Sequence, residues 1–335
     1  MNCLVIDFGG TYTKYCLMDG NASISEKNEQ PSPLVGIEAF TAFIKNLYEI
    51  HKSRIEGIAI SIPGMIDIKT GLHKGGGAYM DLWGKNLYEL IGSVTPLPFV
   101  VENDGKCGAM AEVWKGSLED VNDGVVMIIG TGNAGGIIKD RKIHRGFHDI
   151  AGEVSYLMTK PGEYGPSNML CMHSAMMGLT MKVAAAKGYG QSSLESASLR
   201  REDSNVYQGP RAGAEKEGEA KPCVMVDGPQ IFRWLEEGDP DTVHAYEEFI
   251  ADLGMTLFNL HVVYDPEKIA IGGGISRIPR LLPDIQAELN RIQEAIAHLF
   301  SPTLTLVPCK FLGDANLVGA MFNFMQRNGQ MAQDI

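Results

Sequence analysis

Apolar positions along the chain fall into two rhythms. Short unbroken runs, Leu4-Val5-Ile6, Val125-Val126-Met127-Ile128-Ile129 and Ile269-Ala270-Ile271, read as buried strands. Each is followed by a glycine turn: Asp7-Phe8-Gly9-Gly10-Thr11, Gly130-Thr131-Gly132 and Gly272-Gly273-Gly274. Glycine lets the backbone bend sharply or approach a ligand closely. The second rhythm is helical. Ile37, Phe40, Phe43, Ile44 and Leu47 place a helix over 36–52, and similar patterns place helices at 87–91, 106–114, 230–235, 242–263, 280–300 and 316–326. Further strands are expected at 55–62, ending at Pro63-Gly64, and at 99–101, 268–271 and 303–307. Strands alternating with helices make an α/β architecture.

The opening segment reads strand 3–7, glycine turn, strand 13–18, closed by the hairpin signal Asp19-Gly20. The same order recurs at 125–129, 130–136 and 137–139, closed by Asp140-Arg141-Lys142. This points to an internal duplication, with a chance recurrence of strand–glycine turns as the alternative. The stretch 188–221 is rich in Ser, Glu, Arg, Gly and Ala and reads as a polar surface excursion. Methionines cluster between Met169 and Met181, where core packing explains them best.

Composition narrows the function. The 335 residues suffice for two domains, and 44% hydrophobic against 21% charged residues is ordinary for a globular protein. The net charge of -12, with no basic cluster, argues against nucleic acid or an anionic membrane as partner. It does not argue against ATP, since phosphate sites rely on backbone N–H groups and cations. The cysteines at 3, 16, 107, 171, 223 and 309 form no Cys-x-x-Cys pair, so reduced thiols and a cytoplasmic location are expected. No leader and no membrane span is expected.

Several carboxylates sit where chemistry is possible. Asp7 ends a buried strand and either caps the turn or faces a hydrated Mg²⁺ at nucleotide phosphates. In the second case Gly9, Gly10 and Thr11 donate to phosphate oxygens and Lys14 supplies a cation. Glu102-Asn103-Asp104 follows a strand; the pair at 103–104 is either a helix cap or a site in which Asp104 is a general base. Asn103 can both donate and accept, which suits a sugar hydroxyl. Gly130, Thr131 and Gly132, with Gly135 and Gly136, repeat the phosphate-turn pattern. Glu153 either binds two vicinal hydroxyls or is an exposed loop acid. Gly272, Gly273 and Gly274 either leave room for adenine or ribose or make a tight turn. His144 and His148 flank Gly146, which disfavours a metal-binding helix, and no transition metal is expected.

Taken together these motifs resemble the ROK family of sugar kinases, within the actin/hexokinase/Hsp70 superfamily. The resemblance runs nearly the whole chain: Asp7-Phe8-Gly9-Gly10-Thr11-x-x-Lys14, Pro63-Gly64, Glu102-Asn103-Asp104, Gly130-Thr131-Gly132, Ala151-Gly152-Glu153, Asp227-Gly228, Gly272-Gly273-Gly274-Ile275-Ser276 and Gly319-Ala320. It implies a ribonuclease-H-like fold of two α/β domains around a cleft. One would span 1–116 with about 312–335, the other 117–311. It also implies ATP, Mg²⁺ near Asp7 through water, a homodimer, and phosphoryl transfer to a sugar hydroxyl. Asp104 falls on the catalytic base, and Gly64, Asn103 and Glu153 on sugar-binding positions. Many members carry Glu-x-Gly-His; here the segment is Glu153-Val154-Ser155-Tyr156. Many also carry a cysteine-rich zinc loop; here 165–173 has Cys171 alone. Both zinc elements are missing together, as in the branch containing β-glucoside kinases, so no structural zinc is expected. Tyr156 offers a phenol and a ring face to the substrate. The expectation is phosphorylation of a hexose or β-glucoside, at C6. The alternatives are a kinase for another sugar such as N-acetylmannosamine, glucose or fructose, or a non-catalytic sugar sensor.

Overall fold

The computed structural model describes residues 1–189 and 226–329. The expected polar excursion at 188–221 lies outside them apart from its first two residues, as do Cys223 and the end of the 312–335 return.

Two five-stranded sheets dominate. The first runs β3-β2-β1-β4-β7 and the second β10-β9-β8-β11-β12. In the first, β1 (Asn2–Phe8), β2 (Tyr12–Asp19) and β3 (Ile24–Pro31) form an antiparallel meander. Strands β4 (Gly57–Ile62) and β7 (Phe99–Asn103) then join parallel to β1. In the second, β8 (Gly124–Ile129), β9 (Asn133–Lys139) and β10 (Lys142–His144) repeat the meander, and β11 (Lys268–Gly272) and β12 (Leu306–Pro308) join in parallel. Both sheets therefore wind the same way, as a duplication requires. A small hairpin, β5 (Met65–Ile66) with β6 (His73–Gly75), follows β4.

Strand periodicity explains the layers, because successive side chains leave opposite faces of a sheet. Leu4, Ile6 and Phe8 pack outward against α1 (Ile37–His51) and α2 (Leu87–Gly92). Cys3 and Val5 face inward onto α3 (Asp104–Lys115) and the last helix, α9 (Ala315–Arg327). In the second sheet Val126 packs with Ala109 and Val113 of α3. Val125, Met127 and Ile129 face the helices on the other side: α5 (Met176–Ala186), α6 (Gly228–Glu236), α7 (Pro240–Tyr264) and α8 (Leu281–Ala295), with short α4 (Cys171–Ser174) nearby. Helix α3 is thus the shared wall between the sheets, and it fits there because glycine lines its contacts. A Cβ on Gly319 of α9 would stand 1.7 Å from the Cys107 carbonyl oxygen, and one on Gly105 would stand 2.6 Å from Gly135 backbone.

Several boundaries differ from the sequence reading. Helix α3 begins at Asp104, two residues early, because the Asn103 side chain accepts from the Lys106 N–H and caps it. The expected turn 130–136 ends at 132. Gly135 and Gly136 lie inside β9, pressed on Gly152 and Ala109, so they are packing residues and not part of a phosphate turn. Helix α8 stops at Ala295, five residues short of the expected end. Strand β3 was not anticipated: ISEKNEQP is an exposed, polar edge strand with no apolar alternation to announce it.

Candidate active site

Asp7, Ser61 and Asn103 lie at the C-terminal ends of β1, β4 and β7, the edge where open parallel sheets place ligands. Asp7 is 6% exposed, and its Oδ1 accepts from Ser61 Oγ at 2.8 Å and Asn316 Nδ2 at 3.1 Å. Burial raises its pKa, partly offset by these donors and by Lys14. Among the described residues no donor reaches Oδ2. A carboxylate fixed at one oxygen and open at the other is suited to a hydrated divalent cation. Among the described residues no three His, Cys, Asp or Glu side chains are grouped as a direct metal site.

The first glycine turn is fastened through its carbonyls. Gly9 O accepts from Ser32 Oγ at 2.6 Å and Tyr79 Oη at 3.3 Å, and Thr11 O accepts from the Ser32 N–H at 3.1 Å. Gly10 and Thr11 are exposed. The second turn is built likewise: Gly130 O and Thr131 O accept from the Met176 and Met177 N–H groups at the start of α5. Thr131 is exposed, and a Cβ on Gly132 would meet nothing within 4 Å. Of the third turn only Gly274 opens to free space. Gly272 is pressed on Cys309 and Ile128, and Gly273, at φ +93°, on the Ile129 carbonyl. Those two glycines tie β11 to β8. Lys14 is turned to the Gly313 carbonyl at 3.0 Å, so it links β2 to the segment before α9.

Asp104 is the first residue of α3 and is partly exposed. Its Oδ1 accepts from the Gly105 N–H at 2.8 Å and Asn103 Nδ2 at 3.1 Å. Among the described residues no donor reaches Oδ2. Burial pushes its pKa to about 7, reinforced by the charges of Asp7 and Glu153 and opposed by Gly105 and Lys106. Asp7, Asp104 and Glu153 therefore share one electrostatic environment. Both Asn103 Nδ2 hydrogens are engaged, since Nδ2 also donates to Gly64 O at 3.0 Å, and Oδ1 accepts from the Lys106 N–H. Asn103 shapes the site by positioning Asp104 and Gly64.

Glu153 comes to this wall from the second sheet. It follows Gly152, whose φ of +87° lets the chain pass against β9. It is not an exposed loop acid; its side chain is 13% exposed, and Oε1 accepts from Lys106 Nζ at 2.9 Å. Tyr156 extends from the same segment toward the Gly75-Gly76-Gly77 loop, and a Cβ on Gly76 would stand 2.4 Å from its hydroxyl. Burial, Glu153, Cys171 and Asp104 all raise the Tyr156 pKa. The loop 145–150 is pinned at two points. Arg145 reaches Glu102 at 2.5 and 3.2 Å, and Asp149 accepts from Lys74 at 3.1 Å.

The structure thus brings Asp7, Gly64, Asn103, Asp104, Glu153 and Tyr156 together. It adds Ser61, Lys106, Arg145 and Asn316, which the sequence reading missed. Only Lys106 left a trace there, as a cation two residues beyond Asp104.

Comparison with known proteins agrees over the full length. The ROK family model matches residues 3–327. A β-glucoside kinase of Listeria monocytogenes is 28% identical over 332 residues, covering 98% of this chain and 99% of that protein. A ROK family protein from Streptococcus pneumoniae, solved with sucrose, superposes with a TM-score of 0.79 at 24% identity, covering 99% of this chain and 100% of that one. A ROK family glucokinase from Streptomyces griseus, solved with glucose and AMPPNP, gives 0.76 at 22% identity, covering 96% and 98%.

Proposed function

The chain belongs to the ROK family, and from that premise we propose that it is an ATP-dependent carbohydrate kinase with Asp104 as general base. The observation that carries this is the Asp104 carboxyl. One oxygen is held by Gly105 and Asn103, the other is open, and the group is poised at about pH 7 between Asp7 and Glu153.

A sugar hydroxyl is a weak nucleophile until its proton has an acceptor. Asp104 takes that proton as the new O–P bond forms. Glu153 accepts from neighbouring sugar hydroxyls and Tyr156 offers its ring; Gly64, at φ +110° with His73 and Gly76 filling the space a Cβ would take, shapes the turn beside them. Gly9, Gly10, Thr11, Gly130, Thr131, Gly132 and Gly274 would line the nucleotide side, and Asp7 would hold Mg²⁺ through water. The cation would neutralise charge on the phosphates of ATP, which donates the phosphoryl group. The two sheets with their helices act as lobes, 1–116 with the C-terminal helix against 117–311, and their closure excludes water. The relatives named β-glucoside kinases, two of them matched over 97–98% of this chain, favour a hexose or β-glucoside acceptor at C6. By family likeness the enzyme works as a cytoplasmic homodimer. Among the described residues no helix is long and apolar enough to cross a membrane.

The test is coupled ADP release with D-glucose, cellobiose, methyl β-D-glucoside and N-acetyl-D-mannosamine. ADP formation that depends on both sugar and Mg²⁺ is expected. Sugar binding with no ATP consumption across the panel would establish a sensor instead.

A further inference from the structure

We propose that Lys106 is the positioning residue of the acceptor site, orienting Glu153 toward the sugar and holding its charge in place. This rests on the kinase reading but goes beyond it, because it concerns a residue that needs no contact with either substrate.

Lys106 is 2% exposed, among the largest fully buried side chains of the protein. A buried ammonium is costly unless paired. Its partner is Glu153 Oε1 at 2.9 Å, from the loop that follows β10. Among the described residues no donor reaches Oε2, so the pair fixes the carboxylate by one oxygen and presents the other. The backbone of Lys106 is fixed as well, since its N–H is bonded to the Asn103 cap at 3.0 Å. A single turn of α3 therefore carries the base, Asp104, and the cation that orients the sugar-binding carboxylate. Three carboxylates, Asp7, Asp104 and Glu153, share this space, and the Lys106 charge opposes the upward push they exert on Asp104.

Two consequences separate orientation from mere packing. Loss of the ammonium frees Glu153 to rotate, which weakens sugar binding and spares the nucleotide. It also removes the cation that favours ionised Asp104, so the acid limb of the pH–rate profile moves to higher pH.

The experiment compares wild type with Lys106→Met, Lys106→Arg, Glu153→Gln and the double variant Lys106→Met/Glu153→Gln, using the best acceptor of the sugar panel. Readouts are KM for sugar, KM for ATP, the pH profile, and sugar binding by calorimetry without ATP. For Lys106→Met we expect a rise in sugar KM and Kd of about 10–10²-fold, the range for losing a charge-assisted hydrogen bond. The ATP KM should stay within about twofold, the usual scale for a site left intact. Lys106→Arg should recover part of the loss. The double variant should lose little more than either single change, because the two residues act as a unit. Should Lys106→Met not fold, Lys106→Gln, which leaves Glu153 in place beside a neutral donor, carries the same binding test. Unchanged sugar affinity in a folded variant without the ammonium, or losses that add in full, would overturn the proposal. Sugar binding without ADP release by the wild type would overturn the kinase reading; ADP release by the wild type beside a normal Lys106→Met would overturn only this inference.

Discussion

Replacing Asp104 by Asn should yield a protein that is nearly inactive and yet more stable. Asn keeps the oxygen that accepts from the Gly105 N–H, so the α3 terminus survives. It removes the proton acceptor, and turnover should fall by about 10²–10⁴, the usual contribution of a general base. Stability moves the other way. The folded carboxyl has a pKa of about 7 against an ordinary 3.8, raised by burial first and then by Asp7 and Glu153. Between those values the unfolded chain has released a proton that the folded chain retains, so stability falls as pH rises through the window. The penalty is absent below about pH 4, grows to about pH 7 and is constant above it. Three units correspond to a ceiling of roughly 4 kcal/mol. Asp104→Asn should therefore exceed wild type in melting temperature by more at pH 8 than at pH 5. Scanning fluorimetry at both pH values, with ADP release at pH 8, measures the two effects together. Turnover above a tenth of wild type would refute the base assignment. A variant less stable than wild type at pH 8 would refute the electrostatic account of the strained carboxyl.

Further outcomes follow from the same geometry. Asp7→Asn should raise the Mg²⁺ concentration needed for half-activity by about 10–10²-fold, the range for losing a partner to the metal shell, and should move the acid limb of the residual rate to lower pH, since Asp7 raises the Asp104 pKa; a magnesium titration over a pH series reads both. Arg145→Ala leaves Glu102, 1% exposed, without its cation, and should cost about 3 kcal/mol by thermal or urea unfolding. Gly319→Val drives a side chain into the Cys107 carbonyl, where a Cβ already stands 1.7 Å away; destabilisation of about 1–3 kcal/mol or more is expected from overpacking, measured by urea unfolding.

The sequence was most legible where local chemistry decides the outcome. Runs such as Val125–Ile129, short, β-branched and closed by glycine, read as buried strands, and the turns after them mark strand ends. The order of those turns pointed to the duplication, and together with Pro63-Gly64, Glu102-Asn103-Asp104 and Ala151-Gly152-Glu153 it carried the family resemblance. Asp7, Asp104 and Glu153 were legible as candidates beside bland alternatives, a turn cap, a helix cap and an exposed loop acid, and the motifs around them carried the family resemblance. The roles of Asn103 and Lys14 were less legible. Either residue type suits a ligand as well as it suits a backbone partner, and only folding shows Asn103 spent on Lys106, Gly64 and Asp104, and Lys14 on Gly313. Gly135 and Gly136 misled for the same reason: a glycine that admits a phosphate also admits a helix.

Sequence by itself thus determined the buried strands, the order in which they and their glycine turns recur, and where acid groups meet glycine; the exposed edge strand β3 and the β5–β6 hairpin were not legible in it. Tertiary structure alone decided which groups meet one another. Lys106 and Glu153 are 47 positions apart, Asp7 and Asn316 are 309 apart, and neither pair leaves a periodic signal. Their approach depends on α3 and α9 packing through glycine between two sheets, a contact that brings distant segments within hydrogen-bond reach. Burial at that junction is also what lifts the Asp104 carboxyl toward neutral pH, a property that no residue carries on its own.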